Sequence, residues 1–68
     1  MSLSYTYWPA ENGGYVGYWN DYPDYMTEGA TLEEFQRMLR SLRADIVEML
    51  RDGTISDAPR LVAEMEYA

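Results

Sequence analysis

The chain has 68 residues, with 12 Asp+Glu against 5 Lys+Arg, no His, no Cys and a formal net charge of −7 at pH 7. That length allows one domain, residues 1–68, without a disulfide or thiolate–metal staple to supplement its core. The charge argues against direct nucleic-acid binding, which needs Lys and Arg to displace counterions, and against an anionic membrane surface.

The first half reads as strand. Leu3-Ser4-Tyr5-Thr6-Tyr7-Trp8 alternates, with Leu3, Tyr5 and Tyr7 on one face and Ser4, Thr6 and Trp8 on the other. Pro9 stops this strand or bends it at an edge. Asn12-Gly13 supplies the positive φ angles of a tight hairpin. Tyr15-Val16-Gly17-Tyr18-Trp19 is a second, aromatic strand, in which Gly17 marks a bulge or a close approach by another backbone. Asn20-Asp21-Tyr22-Pro23-Asp24 is a turn cluster. Tyr25-Met26-Thr27-Glu28 is a short third strand ended by Gly29, and connections this short predict an antiparallel meander.

After Gly29 the period changes. Thr31 and Glu34 form a capping box. Leu32, Phe35, Met38, Leu39, Leu42, Ile46, Met49 and Leu50 then recur at helical spacing, and Gly53 provides the stop. One long helix is expected from near Leu32 to near Asp52, with its apolar stripe on the sheet; the same stripe spaced as a heptad seam is the competing reading. Val47, Arg37, Arg40 and Arg51 fall on the outer face, where Glu33–Arg37 and Glu48–Arg51 have the spacing of surface ion pairs. The tail is ambiguous. Leu61, Ala63, Met65 and Tyr67 alternate as a strand would, whereas Ala58, Leu61, Val62 and Met65 fit a helix. A fourth strand over residues 58–67 is preferred, because so small a sheet gains most from another partner, in its own chain or across a dimer. The expected fold is α+β, a small antiparallel sheet with one long helix packed on one face, β-β-β-α-β.

The missing residue types restrict the chemistry. All five basic residues are Arg. Without Lys there is no P-loop and no Schiff base; without His or Cys, no ordinary zinc site and no partner to activate Ser2, Ser4, Ser41 or Ser56. No apolar run reaches membrane-spanning length and no signal peptide opens the chain, so the compartment reads as cytoplasm. No catalytic residue, resident metal or cofactor is expected.

The order of several motifs carries a family resemblance. A tyrosine-rich first strand is followed by Gly13-Gly14-Tyr15-Val16, then Asp21-Tyr22-Pro23, then Thr27-Glu28-Gly29-Ala30-Thr31-Leu32-Glu33-Glu34. From Tyr5 to Gly53 this resembles the HicB-like antitoxins, with Asp24 standing where that family usually has Gly. The resemblance implies a domain similar to a partly degraded ribonuclease-H-like fold, usually a homodimer or homotetramer. It implies a non-enzymatic function, the neutralising of a small basic RNA-cleaving toxin of the HicA type by covering its RNA-binding surface. Many members carry a further helix-turn-helix or ribbon-helix-helix segment that represses their own operon. The expectation here is a stand-alone domain that does not.

Independently of family, the aromatics are too many for one face of a small sheet, so alternation forces some onto the face away from the helix. Such a surface marks an interface; Trp8, Val16 and Tyr18 are its candidates. Residues 1–32 hold four carboxylates, Glu11, Asp21, Asp24 and Glu28, and no basic residue, which makes this half a docking surface for a basic partner. The candidate partner-binding residues are Trp8, Tyr18, Asp21, Tyr22, Asp24, Tyr25 and Glu28. Two alternatives remain: a vestigial Mg²⁺-dependent nuclease using Asp21, Asp24 and Glu28, and a purely homo-oligomeric domain.

Overall fold

The computed structural model describes residues 2–56, 58 and 61–67. Three strands, β1 (Tyr5–Pro9), β2 (Tyr15–Trp19) and β3 (Met26–Gly29), precede one helix, α1 (Leu32–Arg51). The sheet is an antiparallel meander in the order β1-β2-β3. The helix packs over β3 and β2 and leaves β1 to one side.

Register decides which side chains meet. Tyr5 pairs with Trp19, Tyr7 with Gly17 and Pro9 with Tyr15, while Thr27 and Gly29 oppose Gly17 and Tyr15. These positions face α1. The rings of Tyr5 and Tyr7 lie 6.1 and 5.7 Å from Phe35, and Trp19 stands edge-on to Tyr5 at 5.9 Å. Phe35, Leu39 and Ile46 are the fully buried side chains among the described residues. The Trp19 indole N–H donates to the Leu39 carbonyl at 2.8 Å, which gives the half-buried ring the partner its polar edge needs.

The pairing across Gly17 is continuous, so there is no bulge; Gly17 is instead a close approach. A Cβ placed there would run into the Thr6 carbonyl oxygen and lie 2.8 Å from the Tyr7 Cα. The β1–β2 turn departs from the expected tight hairpin. Gly13 alone has positive φ, at 94°, and Asn12 does not. The Gly13 N–H donates to the Ala10 carbonyl at 3.1 Å and the Ala10 N–H to the Gly14 carbonyl at 2.7 Å. That is a three-residue loop with its last residue left-handed, which needs one positive φ rather than two.

The helix begins where the capping box places it. The Glu34 N–H donates to Thr31 Oγ1 at 3.1 Å, and the Glu34 carboxylate reaches back to the Ala30 N–H at 3.4 Å. It ends with Asp52 as cap and Gly53 at φ 81°. Of the expected stripe, Leu42, Met49 and Leu50 are half-buried and Leu32 and Met38 are exposed. Val47 is exposed, as its outer position requires, and Arg51 pairs with Glu48 at 2.9 Å.

The fourth strand expected over residues 58–67 is not formed by the described residues. Residues 61–67 have no regular structure and are exposed; residues 59 and 60 lie outside the described set. A helix of 20 residues spans about 30 Å, whereas five-residue strands span about 17 Å. The helix therefore carries the chain past the end of its own sheet.

Candidate protein-docking surface

The face of the sheet away from α1 is built by the alternate positions of the three strands. Thr6 opposes Tyr18, Trp8 opposes Val16, and across β3 Tyr18 opposes Met26 and Val16 opposes Glu28. Trp8 and Tyr18 meet edge-to-face with ring centres 6.0 Å apart. Trp8 is 39% and Met26 58% exposed, while Val16 and Tyr18 are half-buried between them. The result is a strip of Trp8, Val16, Tyr18 and Met26 bordered by Thr6 and Glu28. Asn20 ties down one end of β1 beneath it, accepting from Thr6 Oγ1 at 2.6 Å and donating to Ser4 Oγ at 2.9 Å. At the other end Trp8 borders a shallow hollow lined by Pro9, Ala10, Glu11, Asn12 and Val16.

The seven residues singled out from sequence divide into two groups. Trp8, Tyr18 and Glu28 share this face. Asp21, Tyr22, Asp24 and Tyr25 belong to the β2–β3 connection, where the Tyr22 N–H donates to the Trp19 carbonyl and the Tyr25 N–H to the Tyr22 carbonyl. Asp21 is already engaged. Both of its oxygens accept from the Arg43 guanidinium, at 2.8 and 2.9 Å, and that guanidinium lies 5.2 Å from the Trp19 ring and 5.9 Å from the Tyr22 ring. A planar fork matched to a carboxylate and laid on aromatic faces is the geometry Arg favours. It pins the turn to the helix and leaves the Asp21 carboxylate paired, with its side chain 45% exposed. Met26 joins the surface although its exposure was not read from sequence. Its alternation with Thr27 carried that signal once the strand register is known.

Asp21, Asp24 and Glu28 do not assemble a cation site. Asp21 is committed to Arg43 and Glu28 stands on the sheet face. Among the described residues no three His, Cys, Asp or Glu side chains are gathered as metal ligands would be. Glu28 instead shares a second hollow with Glu34, at the corner where the β1–β2 turn meets the start of α1; Asn12, Tyr15 and Met38 also line it.

The hydrogen bond from Arg43 holds the Asp21 carboxyl below the usual carboxylate range, against a smaller opposing effect of burial. Asp21 in turn raises Arg43. Because the folded-state pKa is depressed, the pair stabilises the fold above the unfolded value of about 3.9 and loses that contribution as pH falls through the folded value. The Asp21 side chain is 45% exposed, so screening limits the pair to about 1 kcal/mol or less. Asp21→Asn is expected to lower the melting temperature by a few degrees at pH 7. Melting curves from pH 6 down to pH 2.5 should show the wild-type advantage closing in acid. A constant gap across that range would exclude the ion pair as its source.

No protein-family model, no curated protein and no solved structure matches this chain. Among the described residues no helix is long and apolar enough to cross a membrane.

Proposed function

We propose that this protein is a non-enzymatic, cytoplasmic interaction domain of the HicB-like antitoxin kind, which docks its helix-distal sheet face on a small basic RNA-cleaving toxin and covers the toxin's RNA-binding surface. The observation that supports this most is the chemistry of that face. Exposed Trp8 and Met26 flank half-buried Val16 and Tyr18 in one contiguous apolar strip beside Glu28, in a half of the chain with no basic residue. Single-stranded nucleic acid also stacks on aromatic sheets, but it needs a positive groove along its backbone, and these strands carry no cation. A cationic protein surface is the complement. Aromatic anchors supply affinity at the centre of such an interface, and the acidic surroundings steer the approach. In this lid mechanism the domain performs no chemistry; it excludes RNA by occupying the toxin's groove.

The test is co-expression with the product of the adjacent reading frame, which the proposal requires to be a small basic protein, followed by an RNA-cleavage assay. A complex is expected at low salt, weakening as salt rises, with cleavage suppressed. Trp8→Ala should weaken it by about 30-fold or more, the scale of an interface hot spot at roughly 2 kcal/mol. Asp21→Asn should change it by less than about threefold, because that carboxylate already serves Arg43. Absence of a complex at low salt, or full inhibition by Trp8→Ala, overturns the proposal.

A further inference from the structure

Two incomplete parts of the molecule match each other. The first is the segment 61–67, in which Leu61, Val62, Met65 and Tyr67 are 96, 93, 87 and 95% exposed. Taken as a strand, it puts Leu61, Ala63, Met65 and Tyr67 on one side and Val62, Glu64 and Glu66 on the other. The second is β1, an edge of the sheet. An edge presents unpaired N–H and C=O groups along its length. Because α1 lies over β3 and β2, the helix-facing side of β1 is also thinly covered. Tyr7 is 44% exposed, as is Leu3 just before the strand, at 45%.

We infer that residues 61–67 of one copy pair with β1 of a second copy, and reciprocally, so that the protein is a strand-exchanged dimer with a four-stranded sheet in each half. The helix outruns its own sheet by roughly 13 Å on element lengths. Within a single chain the segment lies off the sheet, with every described side chain from 61 to 67 exposed. A strand returning from the end of its own helix would start beside Tyr5 and run parallel to β1. A copy related by a two-fold axis can present the same segment antiparallel, which pairs somewhat better per residue. Reciprocal exchange covers the β1 edge of both copies at once. In that pairing the apolar row Leu61, Ala63, Met65 and Tyr67 lies over the exposed Tyr7 and Leu3. Val62, Glu64 and Glu66 then fall on the same face as Trp8 and add carboxylates to it.

Sedimentation of the full chain tests this. A dimer is expected, and it should strengthen with added salt, because both copies are acidic and salt screens their repulsion. The double substitution Leu61→Asp, Met65→Asp should weaken dimerisation by at least tenfold while leaving the helical circular dichroism unchanged, since both side chains are exposed in the single chain. In a one-to-one mixture of isotope-labelled and unlabelled protein, filtered nuclear Overhauser spectra should connect segment 61–67 with β1 between copies. The same contacts seen only within a copy overturn the proposal in favour of an internal fourth strand. A monomer overturns it outright. A dimer that survives the tail substitutions and is lost on Met26→Glu overturns it in favour of the helix-distal face.

Discussion

Phe35→Ala should leave the protein largely unfolded at physiological temperature. Phe35 is fully buried, and the rings of Tyr5 and Tyr7 pack against it from β1. Through it, and through the Gln36 amide that donates to the Tyr5 hydroxyl at 3.0 Å, the helix over β3 and β2 also holds the first strand. Truncating a buried Phe to Ala costs about 3–5 kcal/mol. A domain of 68 residues has roughly 3–10 kcal/mol in total. The fully buried side chains among the described residues number three, Phe35, Leu39 and Ile46, so little of the core remains to absorb the loss. Thermal unfolding followed by circular dichroism should show a fall of at least about 12 °C, or no cooperative transition, given about 4–8 °C per kcal/mol at this size. Val47→Ala, on the exposed face of the same helix, is the control and should shift the midpoint by no more than a few degrees. A Phe35→Ala midpoint within 5 °C of wild type would mean that Phe35 does not hold the sheet to the helix.

Gly17→Ala should be nearly as damaging, by a different route. Gly17 is at the centre of the central strand, paired with Tyr7 on one side and Thr27 on the other. The atoms an added Cβ would strike are the Thr6 carbonyl and the Tyr7 Cα and Cβ, so backbone must move. Overpacking typically costs about 1–3 kcal/mol, and a clash with backbone belongs at the upper end. The expected fall in melting temperature is about 10 °C or more. Gly13→Ala separates the two uses of glycine. Gly13 sits at φ 94° with open space around it, so alanine there meets only the local left-handed penalty of about 1–2 kcal/mol. Hydrogen exchange should locate the difference. Gly17→Ala should loosen amides across β1 and β2, whereas Gly13→Ala should loosen the turn alone. Equal and global loosening by both would contradict the close-approach reading of Gly17.

Much of this structure is local, and the local parts were legible. The capping pair Thr31–Glu34 and the stop at Gly53 bracket a helix found at Leu32–Arg51, because both devices act within one turn of the helix they terminate. Alternation in residues 3–8 assigned Thr6 and Trp8 to the face opposite Tyr5 and Tyr7, because a pleated strand leaves each side chain two choices. That assignment, with the absence of any basic residue before position 33, is what made an acidic, aromatic surface readable from residue order.

What depended on distant parts of the chain was not readable in that way. Asp21 and Arg43 are 22 residues apart, and nothing near either one announces a bidentate pair; the register of the helix on the sheet brings them together. Gly17 could be a bulge or a close approach until strand pairing was known, since both leave the same glycine in a strand. The tail alternates as a strand would, yet a strand exists only where a ladder partner lies alongside, and residues 61–67 have none among the described residues of the single chain. Sequence alone thus determined the three strands, the helix with its caps and the two faces of the sheet, all set by interactions a few residues long. Tertiary structure alone decided which carboxylate is spent on an arginine, which glycine admits a neighbouring backbone and which strand-like segment is left without a sheet, because each depends on where separate elements come to lie.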